Sequence, residues 1–557
     1  MRRVAYETLS RRDRKDRHLA VAAWLEGSRG AEDAEVVEIV ASHYLEAYRL
    51  APEDADAERI KQRAAEALAT AGERASSLAA NTEAERYFDK AASLVATPAA
   101  QAGLHEQAGH VAWRALRAEA ALAHYGRALE LYEEQGMAHA AARVSAYLGR
   151  VMWTRGQADQ AIESMERGLR IIENDEPDAD LATLAEALGT LYFFTGNTEM
   201  AARRIAKALD IAETLRLPEV ISRALNTRGL VAFRSKHPEE GLALITHALE
   251  IALANDLPSA ALRAYYNRAG GLVNADRYAD ALVEYRKALA LARKVGDRVF
   301  EMAAASEITF VLALTGDWGE ALNQAGEISE AAARESLHES QPMMTAIAEI
   351  ETQRGNPAAV EQALSAMDRL KDSSDVQERA GYLLIRAAWL RMIGNHREAL
   401  VAAEAVFRLG EDLHEAQEFI RLGFVHAMEA ALALGDQSTA ARLLDMVEQM
   451  QPVDRSPSLN AQASRLRARL LVLQGQDGPA VEAEFAAAKD RFRQIGAGFW
   501  LAVTQLEHAE WLISEGGHAE AQGLVDGALA AFTRLGAQPW MERARRLGHV
   551  EVGTASV

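Results

Sequence analysis

The chain of 557 residues contains no cysteine, so disulfides, thiolate nucleophiles and cysteine-ligated zinc are all excluded. Aromatic residues are only 6% of the chain and prolines number 12, although 49% of the residues are hydrophobic. The apolar content is therefore mostly Ala and Leu, the strongest helix formers, and stretches such as residues 57–80 lack the β-branched and aromatic runs that strands prefer. No segment approaches the roughly 20 apolar residues that cross a bilayer, and the basic start is not followed by the apolar core of a signal peptide. A cytoplasmic location without membrane contact is the expectation. Positive charge is short as well: 61 Lys and Arg face 81 Asp and Glu, a formal net charge of -20, which argues against a nucleic-acid surface. The local exception is a cluster of Arg2, Arg3, Arg11, Arg12, Arg14, Lys15 and Arg17, which reads as a solvated helix face or a contact to an adjacent domain, with nucleic acid or lipid as the alternative.

The signatures of chemistry are missing too. No GxxxxGK[ST] phosphate loop occurs and the dipeptide Gly-Lys never appears, so the cradle that holds nucleotide phosphates is absent from this sequence. There is no HExxH zinc motif and no GxSxG elbow. His105 and His110 are five apart, on different faces of a helix, and are expected to be structural or solvated rather than metal ligands. With 81 acids, carboxylate pairs at helical spacing are inevitable and single out no general acid or base. The expectation is a chain that is not an enzyme, with no catalytic residue, no cofactor and no metal.

What is present is a repeat. The segment from Leu148, LGRVMWTRGQADQAIESMERGLRI, matches the one from Leu188, LGTLYFFTGNTEMAARRIAKALDI, after a shift of 40 residues. Gly109, Gly149, Gly189 and Gly229 share a register, followed by Ala269 and Thr309. A second small column runs through Ala121, Ala161, Ala201, Gly241, Ala281 and Ala321, and a third through Ala128, Gly168, Ala208, Ala248 and Ala288. Between the second and third stands a large residue: Tyr125, Met165, Ile205, Ile245 or Tyr285. Gly156-Gln157, Gly196-Asn197, Gly316-Asp317, Gly394-Asn395 and Gly435-Asp436 supply turns after a first helix A, while Pro177, Pro218 and Pro258 separate helix B from the next helix A. Small residues are placed where helices A and B cross, and the large residue is expected to fill the gap toward the next unit.

These columns resemble the tetratricopeptide repeat. The resemblance implies an all-α, TPR-like α-solenoid, a right-handed superhelix of about twelve helical pairs with helical caps. Four divisions are expected: an N-terminal helical segment at 1–52, a first repeat block at 53–328, a more divergent block at 329–531, and a capping helix and tail at 532–557. The irregular stretches Ser329 to Ser340 and Pro452 to Ser458 are candidate bends, and Trp540 and Leu547 are placed to cover the last apolar face.

The ends carry a narrower likeness. VAYETLSRRDRKDRHLAVAAWLEG from Val4, ASHYLEAYRLAPED from Ala41 and RLGAQPWMERARR from Arg534 resemble the region after the ATPase in bacterial multidomain signalling proteins, where a cyclase or a LuxR-type DNA-binding domain is joined to a signal-transduction ATPase and tetratricopeptide repeats. The likeness begins partway through a domain, which leaves open an internal start at Met1. It implies a sensor and scaffold half without its ATPase or effector. The expected function is a scaffold that binds a protein or peptide and regulates an ATPase or cyclase-type module acting in trans; the alternative is the sensor part of a LuxR-type transcriptional regulator.

In tetratricopeptide solenoids the concave wall is built from helix A, with side chains one, four and five residues after its small position facing the groove. Those positions are His110, Trp113 and Arg114, then Arg150, Trp153 and Thr154, then Thr190, Phe193 and Phe194, then Phe233 and Arg234, then Val273 and Asn274. Arg223 and Arg263 share another column, as do Arg228 and Arg268. Rings grip peptide side chains while Arg and Asn hold backbone or carboxylate. The recurring aromatics at Trp113, Trp153, Phe193 and Phe233 also fit packing between units, and the arginines also fit pairing with acids across the groove.

Overall fold

The computed structural model describes residues 6, 8–27, 34–328, 333, 336–373, 375–409, 417–476 and 478–550. Among them are 27 α-helices and no strand. Twelve antiparallel pairs run from Ala57–Ser77 with Asn81–Leu94 to Gly498–Ser514 with His518–Leu535, preceded by Arg11–Gly27 and Ala34–Leu50 and followed by Gln538–Val550. The expected class, an all-α TPR-like solenoid with helical ends, is the class observed.

The 40-residue period is two steps of 20. Left-handed backbone recurs at Leu116, Gly136, Gly156, Gly196, Arg216, Lys236, Asp256, Asp276, Gly296 and Gly316, and only the longer linker around Glu176 interrupts the series. Turns within a pair and between pairs are thus alike, and the surplus over a minimal repeat lies in helices of 15 to 18 residues between 98 and 315. Asn197, Asn395 and Asp436 follow such glycines and cap the next helix by accepting from a backbone N–H. Pro218, Pro238 and Pro258 open helices, where the lost N–H costs nothing.

Four successive pairs close on the same contact. A Cβ on Gly109 would lie 2.7 Å from the Tyr125 ring, on Gly189 2.7 Å from Ile205, on Gly229 2.5 Å from Ile245, and on Gly149 2.5 Å from Met165. The large residue therefore fills the gap against helix A of its own pair, sixteen positions earlier, and not the gap toward the next unit. Phe233 makes the connection between pairs, because its ring occupies the space of a Cβ on both Gly241 and Gly271.

Contacts divide the chain into two units, residues 1–224 with 290–301 and residues 225–289 with 302–557. This partition differs from the blocks drawn by repeat regularity, which are kept as a proposal about the sequence. In the first unit Val40, Tyr44 and Ala47 share an apolar cluster with Ile60, Leu68 and Phe88. Of the basic cluster, Arg2 and Arg3 lie outside the described residues, and Lys15 is buried between Asp54, at 2.7 Å, and Asp56. Burial opposes the charge on Lys15, and the two carboxylates outweigh it, leaving its pKa raised. Residues far apart in sequence also meet: Asn81 Nδ2 donates to the Gly296 carbonyl at 2.7 Å.

The second unit is tied in the same way. Lys236 pairs with Asp454 at 2.7 Å, and Asp276 holds Arg421 at 3.0 Å and the Ser458 N–H at 2.6 Å. The irregular stretch Pro452 to Ser458 is thus a docking segment: its short 3-10 turn, Pro452–Asp454, receives Lys236, and Ser458 beyond it donates to Asp276. Half of Ser329 to Ser340, the other candidate bend, lies outside the described residues. Gly355 combines positive φ with close approach, since its Cβ would meet Pro539 at 2.7 Å. Trp540 stacks on Phe532 with centroids 5.8 Å apart and donates to Gln353 at 3.0 Å, and Leu547 packs beside it, so Gln538–Val550 covers the last pair as expected.

Gly229→Ala should lower stability by about 1–3 kcal/mol, because a carbonyl 2.9 Å away cannot yield as a side chain can. Gly126→Ala, in a helix with open space around the position, should raise it by about 0.5–1 kcal/mol. Melting midpoints of the two variants against the parent chain give the comparison.

Candidate functional site

The polar side chains that meet along the A helices form ladders of alternating charge. In the first unit Arg143, on Ala138–Thr154, donates to both oxygens of Glu106 at 2.8 and 2.9 Å and to both oxygens of Asp180 at 2.8 and 3.0 Å. Glu106 and Asp180 belong to the preceding and following A helices, Pro98–Arg114 and Ala179–Phe194. Glu186, buried in that last helix, accepts from Thr190 at 3.0 Å and pairs with Arg223 of Pro218–Arg234 at 2.8 Å. Each rung joins residues 37 apart, a repeat less one helical turn. Bidentate guanidinium–carboxylate geometry makes these rungs directional as well as attractive.

The second unit repeats the pattern over six A-type helices. His426 stands between Glu349, at 2.6 Å, and Arg391, at 2.8 Å. Glu429 takes Arg465 and, at 2.8 Å, Arg469; Arg465 also reaches Glu507 at 2.7 and 2.9 Å and Gln462 at 2.9 Å. Glu510 and Arg543 close the series at 2.6 Å. Arg465 is completely buried, with Trp500 under its guanidinium at 5.0 Å. Burial acts to raise the Glu429 pKa, yet Arg469, Arg465 and Arg391 together hold it well below the usual carboxylate range.

Against this frame the sequence-predicted residues separate. Phe193 is fully buried and Val273 nearly so, and Phe233 is wedged between two glycines, so this helix-A column supplies packing between pairs. Trp113 packs, partly buried, against the apolar cluster that contains Tyr125, Leu131 and Tyr132. Trp153 and Phe194, both half-buried, stack on one another with centroids 4.4 Å apart and planes at 22°. Thr190 and Arg223 serve Glu186 as described, Thr154 returns to the Val151 carbonyl at 2.9 Å, and Arg114 donates to Ser76. His110 accepts from or donates to the Tyr125 hydroxyl at 2.8 Å and lies 4.5 Å from the Tyr147 ring; burial pushes its pKa down to about 4, so it is neutral. Arg234, Arg263 and Asn274 are half-buried in the second unit, Arg228 is exposed, and Arg268 lies 3.6 Å from Glu284.

Arg150 differs from the other arginines of the first unit's wall. It is half-buried and, among the described residues, has no hydrogen-bond or ion-pair partner, although it acts electrostatically on the buried Asp297 carboxylate and on His110, Tyr125 and Tyr147.

Sequence reasoning missed the position three residues before the small one, which carries Glu106, Glu186, Asn226 and Tyr266, and missed the whole ladder of the second unit. In the first unit the signal was available as carboxylate–arginine pairs 37 residues apart, whereas the second unit's pairs stand 33 to 42 apart and share no single spacing. Asn226, almost wholly buried, has neither amide atom paired. His105 was weighed with His110, whereas the fold sets it beside His124, with Nδ1 atoms 3.2 Å apart and Asp89 close by. Glu307 is a further surprise: burial, with Glu418 adding to it, pushes its pKa up to about 8, against the Tyr266 hydroxyl that donates to it at 2.9 Å.

Arg465→Met should cost about 3–5 kcal/mol by leaving Arg469 alone to serve the two buried carboxylates Glu429 and Glu507, whereas Arg442→Met, at an exposed pair with Glu404, should cost at most about 1 kcal/mol. Chemical denaturation of both variants makes the comparison. The Glu307 carboxyl binds its proton more tightly folded than unfolded, so stability should fall as pH rises from about 4.5 to about 8 and then level. Glu307→Gln should flatten that part of the pH–stability curve, as melts across pH 4 to 9 would show.

Residues 146–214 match the family model of the tetratricopeptide repeat. No curated protein matches the chain. Among solved structures it is similar to the human IFIT1 dimer with m7Gppp-AAAA, at 14% identity and TM-score 0.39 over 70% of this chain and 90% of that one. It is also similar to a Rap protein complexed with Competence and Sporulation Factor, at 12% identity and TM-score 0.41 over 72% and 99%. A third is BtubC from P. vanneervenii, at 19% and 0.32 over 40% and 92%. On the family match and the helix pairs together, the chain carries a tetratricopeptide-repeat region.

Proposed function

We propose that the chain is a non-catalytic scaffold that captures an extended peptide segment of a partner protein against the A helices of its first unit, with a carboxylate of that peptide seated on Arg150. The support is the contrast between Arg150 and its neighbours. Arg114, Arg143 and Arg223 are engaged by Ser76, by Glu106 and Asp180, and by Glu186. Arg150 is half-buried and makes no hydrogen bond among the described residues, with the Asp297 carboxylate acting on it electrostatically. A guanidinium drawn partly out of water gains most from a bidentate anion, and the neutral His110 beside it adds no competing charge. The Trp153–Phe194 stack, starting one helical turn further along, offers a ring face for the neighbouring peptide side chain.

The finer part of the proposal is that capture regulates a signal-transduction ATPase or cyclase-type module, which rests on the likeness of the sequence flanks to bacterial signalling proteins. A cytoplasmic setting belongs to the same proposal; the structural fact beneath it is that no helix among the described residues is long and apolar enough to cross a membrane.

Arg150→Glu should weaken binding of acidic peptides, measured by fluorescence polarisation over a peptide library, by about 30-fold or more, since truncating a buried charge contact costs about 2 kcal/mol or more. Helical circular dichroism should not change. Equal binding by parent and variant would remove Arg150 from the site.

A further inference from the structure

We propose that Asp89, His105 and His124 form a binding site for a divalent transition-metal ion, with zinc the best match to the donor set. The three side chains come from consecutive helices, Asn81–Leu94, Pro98–Arg114 and Ala118–Glu134, all in the first unit. One nitrogen of each ring and one carboxylate oxygen lie within 4.8 Å of one another, and no other such trio occurs among the described residues. The imidazoles face each other Nδ1 to Nδ1 at 3.2 Å, with centroids 5.4 Å apart and planes at 29°. Two nitrogens bound to one tetrahedral zinc at about 2.0–2.1 Å each stand about 3.3 Å apart, so this pair already has the required spacing. Asp89 is exposed, and rotation of its side chain closes the remaining distance.

A second shell is in place. Glu85 precedes Asp89 by one helical turn, and its Oε1 lies 3.5 Å from Nε2 of His124. A carboxylate on the far nitrogen holds the proton there and leaves the Nδ1 lone pair for the ion, as ligating histidines commonly require. Glu85 is itself fixed by Arg117, and Arg127, on the His124 helix, is engaged by Glu130 at 3.1 Å. Two imidazoles with one carboxylate favour zinc and its first-row neighbours over calcium or magnesium, which prefer oxygen-only cages. The fourth position opens toward solvent beside the exposed Asp89. Binding ties one helix B to both helices of the next pair. The pair His18 and His43, with Nδ1 atoms 2.7 Å apart, has no third ligand among the described residues and provides an internal control.

The test is calorimetric titration of the chelator-treated full chain with zinc chloride, alongside the visible spectrum of the cobalt-loaded protein. One site is expected, with the intense d–d absorption of tetrahedral cobalt. His105→Ala and His124→Ala should abolish it, Asp89→Asn should weaken it by at least about tenfold, Glu85→Gln should weaken it by about 10- to 100-fold, and His18→Ala should leave it unchanged. Asp89→Asn lies at the surface, so matched circular dichroism separates loss of a ligand from loss of fold. No binding by the parent chain would overturn the proposal and leave the two rings as a plain hydrogen-bonded pair. Binding that survives the histidine variants, that is undiminished in Asp89→Asn, or that is lost with His18→Ala, would overturn it equally. None of these readouts involves peptide capture, so failure here and failure at Arg150 are distinguishable.

Discussion

Everything in this fold depends on how closely helix B can approach helix A of its own pair. At Gly109, Gly149, Gly189 and Gly229 the missing side chain is filled by Tyr125, Met165, Ile205 and Ile245, so backbone and large side chain meet where any Cβ would collide. Interiors pack densely and tolerate little added volume, which makes this contact set the crossing of each pair and hence the step to the next. Phe233 makes the next connection in the same way, between Gly241 and Gly271.

That step brings the A helices side by side at a spacing that long charged side chains can bridge. Arg143 between Glu106 and Asp180, and Arg465 between Glu429 and Glu507, are consequences of it. Buried ion pairs return their desolvation cost only when every donor is met, and their value lies as much in register as in energy. The ladders define which helix follows which, and they leave Arg150 without a hydrogen-bonded carboxylate among the described residues, with Asp297 acting on it electrostatically. On the proposed reading that is where a partner enters. The histidine–carboxylate trio at Asp89, His105 and His124 arises from the same stacking, on three neighbouring helices rather than along the A column.

The period, the helix content, the turn glycines and the terminal cap were legible in the sequence because each is local or periodic. Gly156, Gly196, Gly316, Gly394 and Gly435 take the left-handed backbone that their place after a helix demands. The partner of the large residue was misplaced, because periodicity says that Tyr125 and Gly109 recur together without saying which gap they share. The column of Trp113, Trp153, Phe193 and Phe233 was ambiguous for a related reason: an aromatic at helical spacing suits a groove and a core equally, and only burial separates them.

By itself, then, the sequence determined a chain of paired helices stepping 20 residues at a time, since small residues, turn glycines and helix-opening prolines act within one or two turns of backbone. Tertiary structure alone decided which charges meet. Glu106 finds Arg143, Asn81 finds Gly296, and Asp276 finds Arg421 and Ser458 because packing sums many small rotations between helices. No local pattern encodes that sum, and the surfaces on which the proposed binding rests are made by it.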